Sequence, residues 1–153
     1  MLPFFQQPAV PKLPNGYRLE TVDTPEPAAI NRLLAACLES TPSEAKWPLA
    51  LERSLWHISI IEESSGELVG FVRATTDQAL NANLWNLAAR PGPDQRTLFS
   101  VLVHRALNIL RRDLPGCSLS VSAPASAVEA LQINCLAGSV LAAPSELVSL
   151  PAR

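Results

Sequence analysis

The chain has 153 residues, 48% of them apolar and 17% charged, which is the size of one ordinary domain with enough material for one buried core. A formal net charge of -2 and a pI near 5.7 give no overall attraction to nucleic acid or anionic lipid, whose binding rests on clustered Lys and Arg, so no nucleic-acid partner is expected. Cys37, Cys117 and Cys135 are an odd set without C-x-x-C spacing, which predicts neither a disulfide framework nor a metal site and fits a reducing, cytoplasmic setting.

Residues 1–16 carry Pro3, Pro8, Pro11 and Pro14, which remove backbone donors and favour extended chain. This stretch reads as an arm whose Leu2, Phe4 and Phe5 can dock on its own domain, dock on a second copy in a homodimer, or stay disordered. It has neither a positive n-region nor an unbroken apolar run, and no later segment has the roughly 20 apolar residues of a membrane span, so secretion and membrane insertion are not expected.

Residues 17–153 read as a single domain. Tyr17 to Asp23 alternates like a half-buried strand, and Thr24 and Pro25 mark a helix start before Ala28 to Leu38. A second helical stretch spans Ser43 to Leu55, with Pro48 as a kink or a new start. Trp56 to Glu62 and Glu67 to Thr75 form a hairpin around Ser64-Ser-Gly66, and a third strand follows over Asn83 to Ala89. Leu98, Val101, Leu102, Ala106, Ile109 and Leu110 fall at helical spacing and predict a long amphipathic helix ending near Pro115-Gly116. Asp94 suits its N-cap. Cys117 to Ser122 is the next strand, Pro124 to Ala137 a helix closed by Gly138, and Val140 to Leu150 holds a last strand. The order is β-α-α-β-β-β-α-β-α-β. A strand, the long helix and the next strand make a βαβ crossover, so the sheet is expected to be mixed, antiparallel first with a parallel pair beside the helix.

That order, with Leu68-Val-Gly-Phe-Val-Arg-Ala-Thr-Thr-Asp77 and then Leu84-Trp-Asn-Leu-Ala-Ala-Arg-Pro91, resembles the GNAT superfamily of acetyl-CoA-dependent N-acetyltransferases. The plastid and cyanobacterial type is similar, with its "VGxARATSD", its "WDVxVxP", a Gln-x-x-Gly-x-Gly turn into the long helix, and a later Phe-Tyr before "LGF". The resemblance implies an α/β (α+β) fold with a mixed central sheet flanked by helices. It also implies acetyl transfer from acetyl-CoA to a primary amine on a small molecule or a protein. Cofactor contacts then fall on the strand edge at Leu87, Ala88 and Ala89 and on the helix start at Arg96, Thr97, Leu98, Phe99 and Ser100.

Several motif positions differ. Counted from Pro91, Asp94 stands at the family's Gln, Thr97 at its first Gly and Phe99 at its second. Phe99 puts a ring where a hydrogen lets phosphate approach, so the ring either packs outward or fills the pyrophosphate groove, while Asp94 sets a carboxylate beside the same amides and Arg96 is a compensating cation. Asn86 stands at the family's Asp. Asn134 stands at the tyrosine that serves as general acid, and an amide has no titratable proton to give a leaving thiolate. Two readings follow: a divergent N-acetyltransferase, and a catalytically inactive GNAT-fold module that binds a partner without CoA.

The remaining chemistry-bearing residues have structural readings. His57 and His104 lack a nucleophile or carboxylate at triad spacing. Cys117 and Cys135 suit small apolar filling, and Trp47, Trp56 and Trp85 suit core anchoring. Arg73 and Asp77 can pair, brace a loop or line an acceptor groove, and Arg90, Arg96, Arg105, Arg111 and Arg112 form a basic set that either attracts an anionic ligand or solvates one face.

Overall fold

The computed structural model describes residues 9–134 and 146–150. Its elements run β1 (Tyr17–Glu20), α1 (Pro27–Ala36), a 3-10 turn (Glu44–Lys46), α2 (Trp47–Glu52), β2 (Trp56–Glu62), β3 (Leu68–Thr76) and β4 (Asn81–Ala89). They continue through α3 (Gln95–Asp113), β5 (Ser118–Ala123), a 3-10 turn (Ala125–Ala127), α4 (Val128–Asn134) and β6 (Glu146–Leu150). This is the order expected from the sequence.

The six strands lie in the sheet in chain order. Every neighbouring pair is antiparallel except β4 and β5, which α3 connects as a parallel crossover. Alternation along the strands sends apolar side chains to both faces. On one face Ile58, Ile60, Val69, Val72 and Leu84 meet α3 and α4 through Leu98, Leu102, Ala106, Leu110 and Leu131. On the other, Leu68, Phe71 and Ala88 meet Ile30, Leu33 and Leu34 of α1 and Cys37 at its C-cap, spaced three and four apart, with Trp47 of α2 set edge-on to Phe71 at 6.2 Å. Leu13, inside the proline-rich stretch, packs against the α3 side, whereas Leu2, Phe4 and Phe5 lie outside the described residues.

Local details differ from the sequence reading. Pro27, not Pro25, opens α1, because Glu26 is the extended residue before it. Pro48 lies in the first turn of a new helix, α2, instead of kinking a longer one, and the segment before α2 is a 3-10 turn. Pro124 likewise leads a 3-10 turn before α4, and the expected closure at Gly138 lies outside the described residues. Gly66 adopts φ +71° in the hairpin turn, a conformation that favours glycine. No helix among the described residues is long and apolar enough to cross a membrane.

Phe99 settles one of the questions the sequence raises. Its ring is fully buried between α3 and the sheet, so it neither projects outward nor fills a groove at the helix start. Removing such a ring costs about 3–5 kcal/mol, combining lost burial with a cavity. Phe99→Ala is therefore expected to lower unfolding free energy by about that amount in urea denaturation. A loss under about 1 kcal/mol would place the ring outside the core.

Candidate functional site

The site begins with a break in strand β4. Ala82 and Leu84 face the α3 side, and alternation should continue through Asn86, yet it is Leu87 and Ala89 that face that side next. One extra residue has been inserted. The register shows it directly, since Arg73 opposes Trp85 while Phe71 opposes Ala88, leaving two residues of β4 against Val72 alone. Asn86 takes the left-handed conformation at φ +57°, which asparagine tolerates better than most residues.

Beyond the insertion β4 leaves its parallel neighbour. Pairing with β5 runs only from Asn81/Ser118 to Leu84/Val121, although β4 continues to Ala89 and β5 to Ala123. Arg90 donates its N–H to the Val69 carbonyl at 2.8 Å, so ladder alternation turns the peptide groups of Ala88 toward β3 and those of Leu87 and Ala89 toward the gap. The Ala89 carbonyl is already occupied. It accepts from the Cys37 thiol at 3.1 Å and from Gln95 Nε2 at 3.0 Å, which ties α1, β4 and α3 together at one point. Burial raises the pKa of Cys37, keeping it a protonated donor.

Helix α3 starts beside this edge. Gln95 N–H reaches the Gly92 carbonyl and Leu98 N–H the Asp94 carbonyl, while the amides of Arg96 and Thr97 have no acceptor among the described residues. Two donors thus point out of a 19-residue helix whose dipole is positive at this end. Asp94 does not cap them as the sequence suggested, since its side chain makes no cap hydrogen bond. Its carboxylate instead accepts from the Tyr17 hydroxyl at 2.7 Å. That bond also raises the Tyr17 pKa, so the phenol stays a donor at neutral pH. Arg96 pairs with Glu129 of α4 in an exposed, readily exchanged contact. Leu98 is buried with Phe99, so their side chains serve the core, while Thr97 and Ser100 are half-buried.

On the opposite face a cleft of about 430 Å³ opens over β3 and β4. Its walls are Ser40, Thr41 and Pro42 before the 3-10 turn, Lys46, Trp47 and Ala50 around α2, and Arg73 with Asn86. Arg73 Nε donates to Asn86 Oδ1 at 2.7 Å and Nη1 to Ser54 Oγ at 3.4 Å. Asn31 supports this wall from behind, accepting from Trp47 Nε1 at 2.8 Å and donating to the Pro42 carbonyl at 2.7 Å.

Other candidates separate from the site. Arg73 and Asp77 do not pair, because Asp77 Oδ1 accepts from the amides of Ala79, Leu80 and Asn81 and closes the loop after β3 alone. Those bonds also hold its carboxyl below the ordinary range. His57 lies 3.1 Å from the Asp23 carbonyl and stacks on Phe71, and His104 neighbours Asn108 on α3. Cys117 is buried, and Trp85 donates to Thr75. Arg90 leaves the expected basic set for Glu62 and Glu67, and Arg112 pairs with Asp113. Asn134 ends α4, and Cys135 lies outside the described residues. Tyr17, Cys37, Gln95 and Ser54 carry no motif in the sequence, since each acts through a partner distant in the chain, and Lys46 joins the site only by lining the cleft.

A mixed sheet with a bulged fourth strand, a splayed parallel neighbour and a helix starting in the gap is the GNAT acetyltransferase fold. The resemblance seen in the sequence is borne out by known proteins. No protein-family model matches the chain. It is 38% identical over 69 residues to the uncharacterized N-acetyltransferase ycf52 of Porphyra purpurea and 35% identical over 69 residues to that of Pyropia yezoensis. Each match covers 44% of this chain and 40% of the relative, so the chain aligns with well under half of those proteins. Among solved structures, the ribosomal-protein-S18-alanine N-acetyltransferase of Escherichia coli superposes with a TM-score of 0.63 at 18% identity, covering 89% of this chain and 94% of the other. YncA of Salmonella typhimurium, a putative acetyltransferase solved with its cofactor acetyl-CoA, gives 0.62 at 15% identity over 89% and 92%.

The polar cluster under the helix start makes a pH-dependent contribution. Arg90 donates to Glu62 at 2.8 Å, and with help from Ser65 it lowers the Glu62 pKa from 4.5 to about 2. A depressed carboxyl pKa favours the folded state above the unfolded value and loses that effect as pH falls. The Glu62 contribution is thus complete above about 4.5 and disappears as pH falls through about 2. Thermal unfolding of the native chain and Glu62→Gln across this range should show the two midpoints converging toward the acid end. Parallel curves would mean that Glu62 and Arg90 do not interact.

Proposed function

We propose that the chain is an N-acetyltransferase that holds acetyl-CoA in the gap between β4 and β5 and transfers its acetyl group to a primary amine. The observation that carries this reading is the release of β4 from β5 after Leu84, which leaves the peptide groups of Leu87 and the Ala89 N–H facing a gap closed at one end by helix amides. An extended pantetheine can pair along such an edge as an added strand does. The Arg96 and Thr97 amides suit the pyrophosphate.

The substitutions that argued for a plugged groove lose force in the fold. The Phe99 ring lies in the core, and Asp94 is engaged by Tyr17 instead of by the helix amides. The non-catalytic module is therefore the weaker reading. When bound, acetyl-CoA supplies the activated acyl group. The cleft beside Asn86 offers the amine a route to the same stretch of β4, so its nitrogen can form the new C–N bond as the C–S bond breaks. The proton lost by nitrogen balances the one gained by the thiolate.

Calorimetric titration with acetyl-CoA should give micromolar binding, about -8 kcal/mol. Thr97→Pro removes one free amide from the first turn of α3, and circular dichroism checks that the helix persists. Loss of a hydrogen bond to a charged group, about 1.5–3 kcal/mol, should weaken affinity roughly 10- to 100-fold. Absence of heat at millimolar ligand would instead establish a fold that no longer uses CoA.

A further inference from the structure

Among the described residues, the cleft over β3 and β4 contains a cation without a counter-charge. Arg73 is half-buried, and none of the described residues lining the cleft is a carboxylate. The two groups it touches, the Asn86 amide and the Ser54 hydroxyl, are both neutral. Among the described residues only two of the five guanidinium N–H donors are engaged, which leaves Nη2 and one Nη1 hydrogen to meet a ligand. Burial works against the charge and lowers the Arg73 pKa, but a guanidinium remains protonated throughout the physiological range. A desolvated cation with unused planar donors is a receptor for a carboxylate or phosphate oxygen pair. Lys46 adds a second positive charge on the cleft wall.

We propose that this cleft selects small primary amines that also carry an anionic group, with Arg73 binding the anion and Asn86 orienting the guanidinium from the bulge. The proposal rests on the acetyltransferase reading, because it identifies the acceptor of that reaction. A volume of about 430 Å³ suits a metabolite-sized molecule. Asn86 is the specificity device: an amide there fixes the Arg73 fork without neutralising it, whereas a carboxylate would satisfy it internally.

The test compares β-alanine with β-alaninamide, which has the same shape without the charge, and with 2-aminoethylphosphonate, which separates carboxylate from phosphate-like recognition. Acetyl transfer is measured for native protein, Arg73→Gln and Asn86→Asp. Native protein should prefer one of the acids over the amide by roughly tenfold or more in kcat/KM, expressed mainly in KM, as expected for a charge-assisted hydrogen bond. Both variants should reduce that preference to near unity. Asn86→Asp is close to isosteric, so it keeps the proposal testable if Arg73→Gln fails to fold. Equal use of acid and amide by native protein, or a preference unchanged in Asn86→Asp, overturns the inference.

Binding of the same compounds without CoA, followed by NMR line shifts, separates this idea from the one beneath it. Binding of an acid that depends on Arg73, together with no affinity for acetyl-CoA, retains the anion site and rejects the transferase. Acetyl-CoA binding and amine turnover without acid preference retains the transferase and rejects the anion site. No binding of either acid by native protein rejects the anion site as well.

Discussion

A single inserted residue governs both halves of the site. The bulge at Asn86 reverses which side chains of β4 face which layer, so Leu87 and Ala89 enter the α3 core while Asn86 itself reaches the opposite cleft. A bulge also bends its strand and increases local twist. The departure of β4 from β5 within two residues of it is consistent with that geometry. The left-handed backbone at Asn86 is held from the side by Arg73, whose Nε meets the amide at 2.7 Å. The same contact therefore supports the open strand edge on one side and sets the charge of the cleft on the other.

Around this point the surrounding polar groups keep the edge open without covering it. Cys37 and Gln95 converge on the Ala89 carbonyl and fasten the C-terminal end of β4 to α1 and α3. Tyr17 engages Asp94, and Arg90 engages Glu62 and Glu67, so the carboxylates near the helix start are committed to neighbours. Like charges beside an anion site are costly when free, and less so when each has a donor or a cation close by. An acidic residue at the start of α3 is thus compatible with an anion at the free amides, provided Tyr17 retains its hydrogen bond.

The fold was legible in the sequence because its signals were local. Period-2 strands, helical spacing over residues 98–110 and the hairpin around Gly66 all survive in the structure, and the parallel β4–β5 pair follows from the crossover rule. Helix boundaries were less secure where prolines cluster, since Pro27 and not Pro25 lies in the first turn of α1, and Pro124 precedes a 3-10 turn instead of opening α4. The bulge left no such local signal. In Asn81 to Ala89 the side chains that join the α3 side are Ala82 and Leu84 and then Leu87 and Ala89, a change of phase that apolar Trp85 and Ala88 conceal in the sequence.

The site was legible only in part, and the misreadings share one cause. Motif counting assigns roles by position, but Phe99 and Asp94 take theirs from direction and partner. A ring at a glycine position blocks a ligand only if it faces the ligand, and Phe99 faces the sheet. A carboxylate at a cap position occupies helix amides only if nothing better offers itself, and Tyr17 lies 77 residues away in sequence yet 2.7 Å away in space. Arg73 shows the converse. Its natural partner by sequence proximity was Asp77, but that carboxylate is consumed by three loop amides, and the guanidinium turns to neutral groups. Charge that sequence proximity would cancel is therefore left uncancelled among the described residues. It remains at the wall of a cleft, where an incoming molecule would meet it.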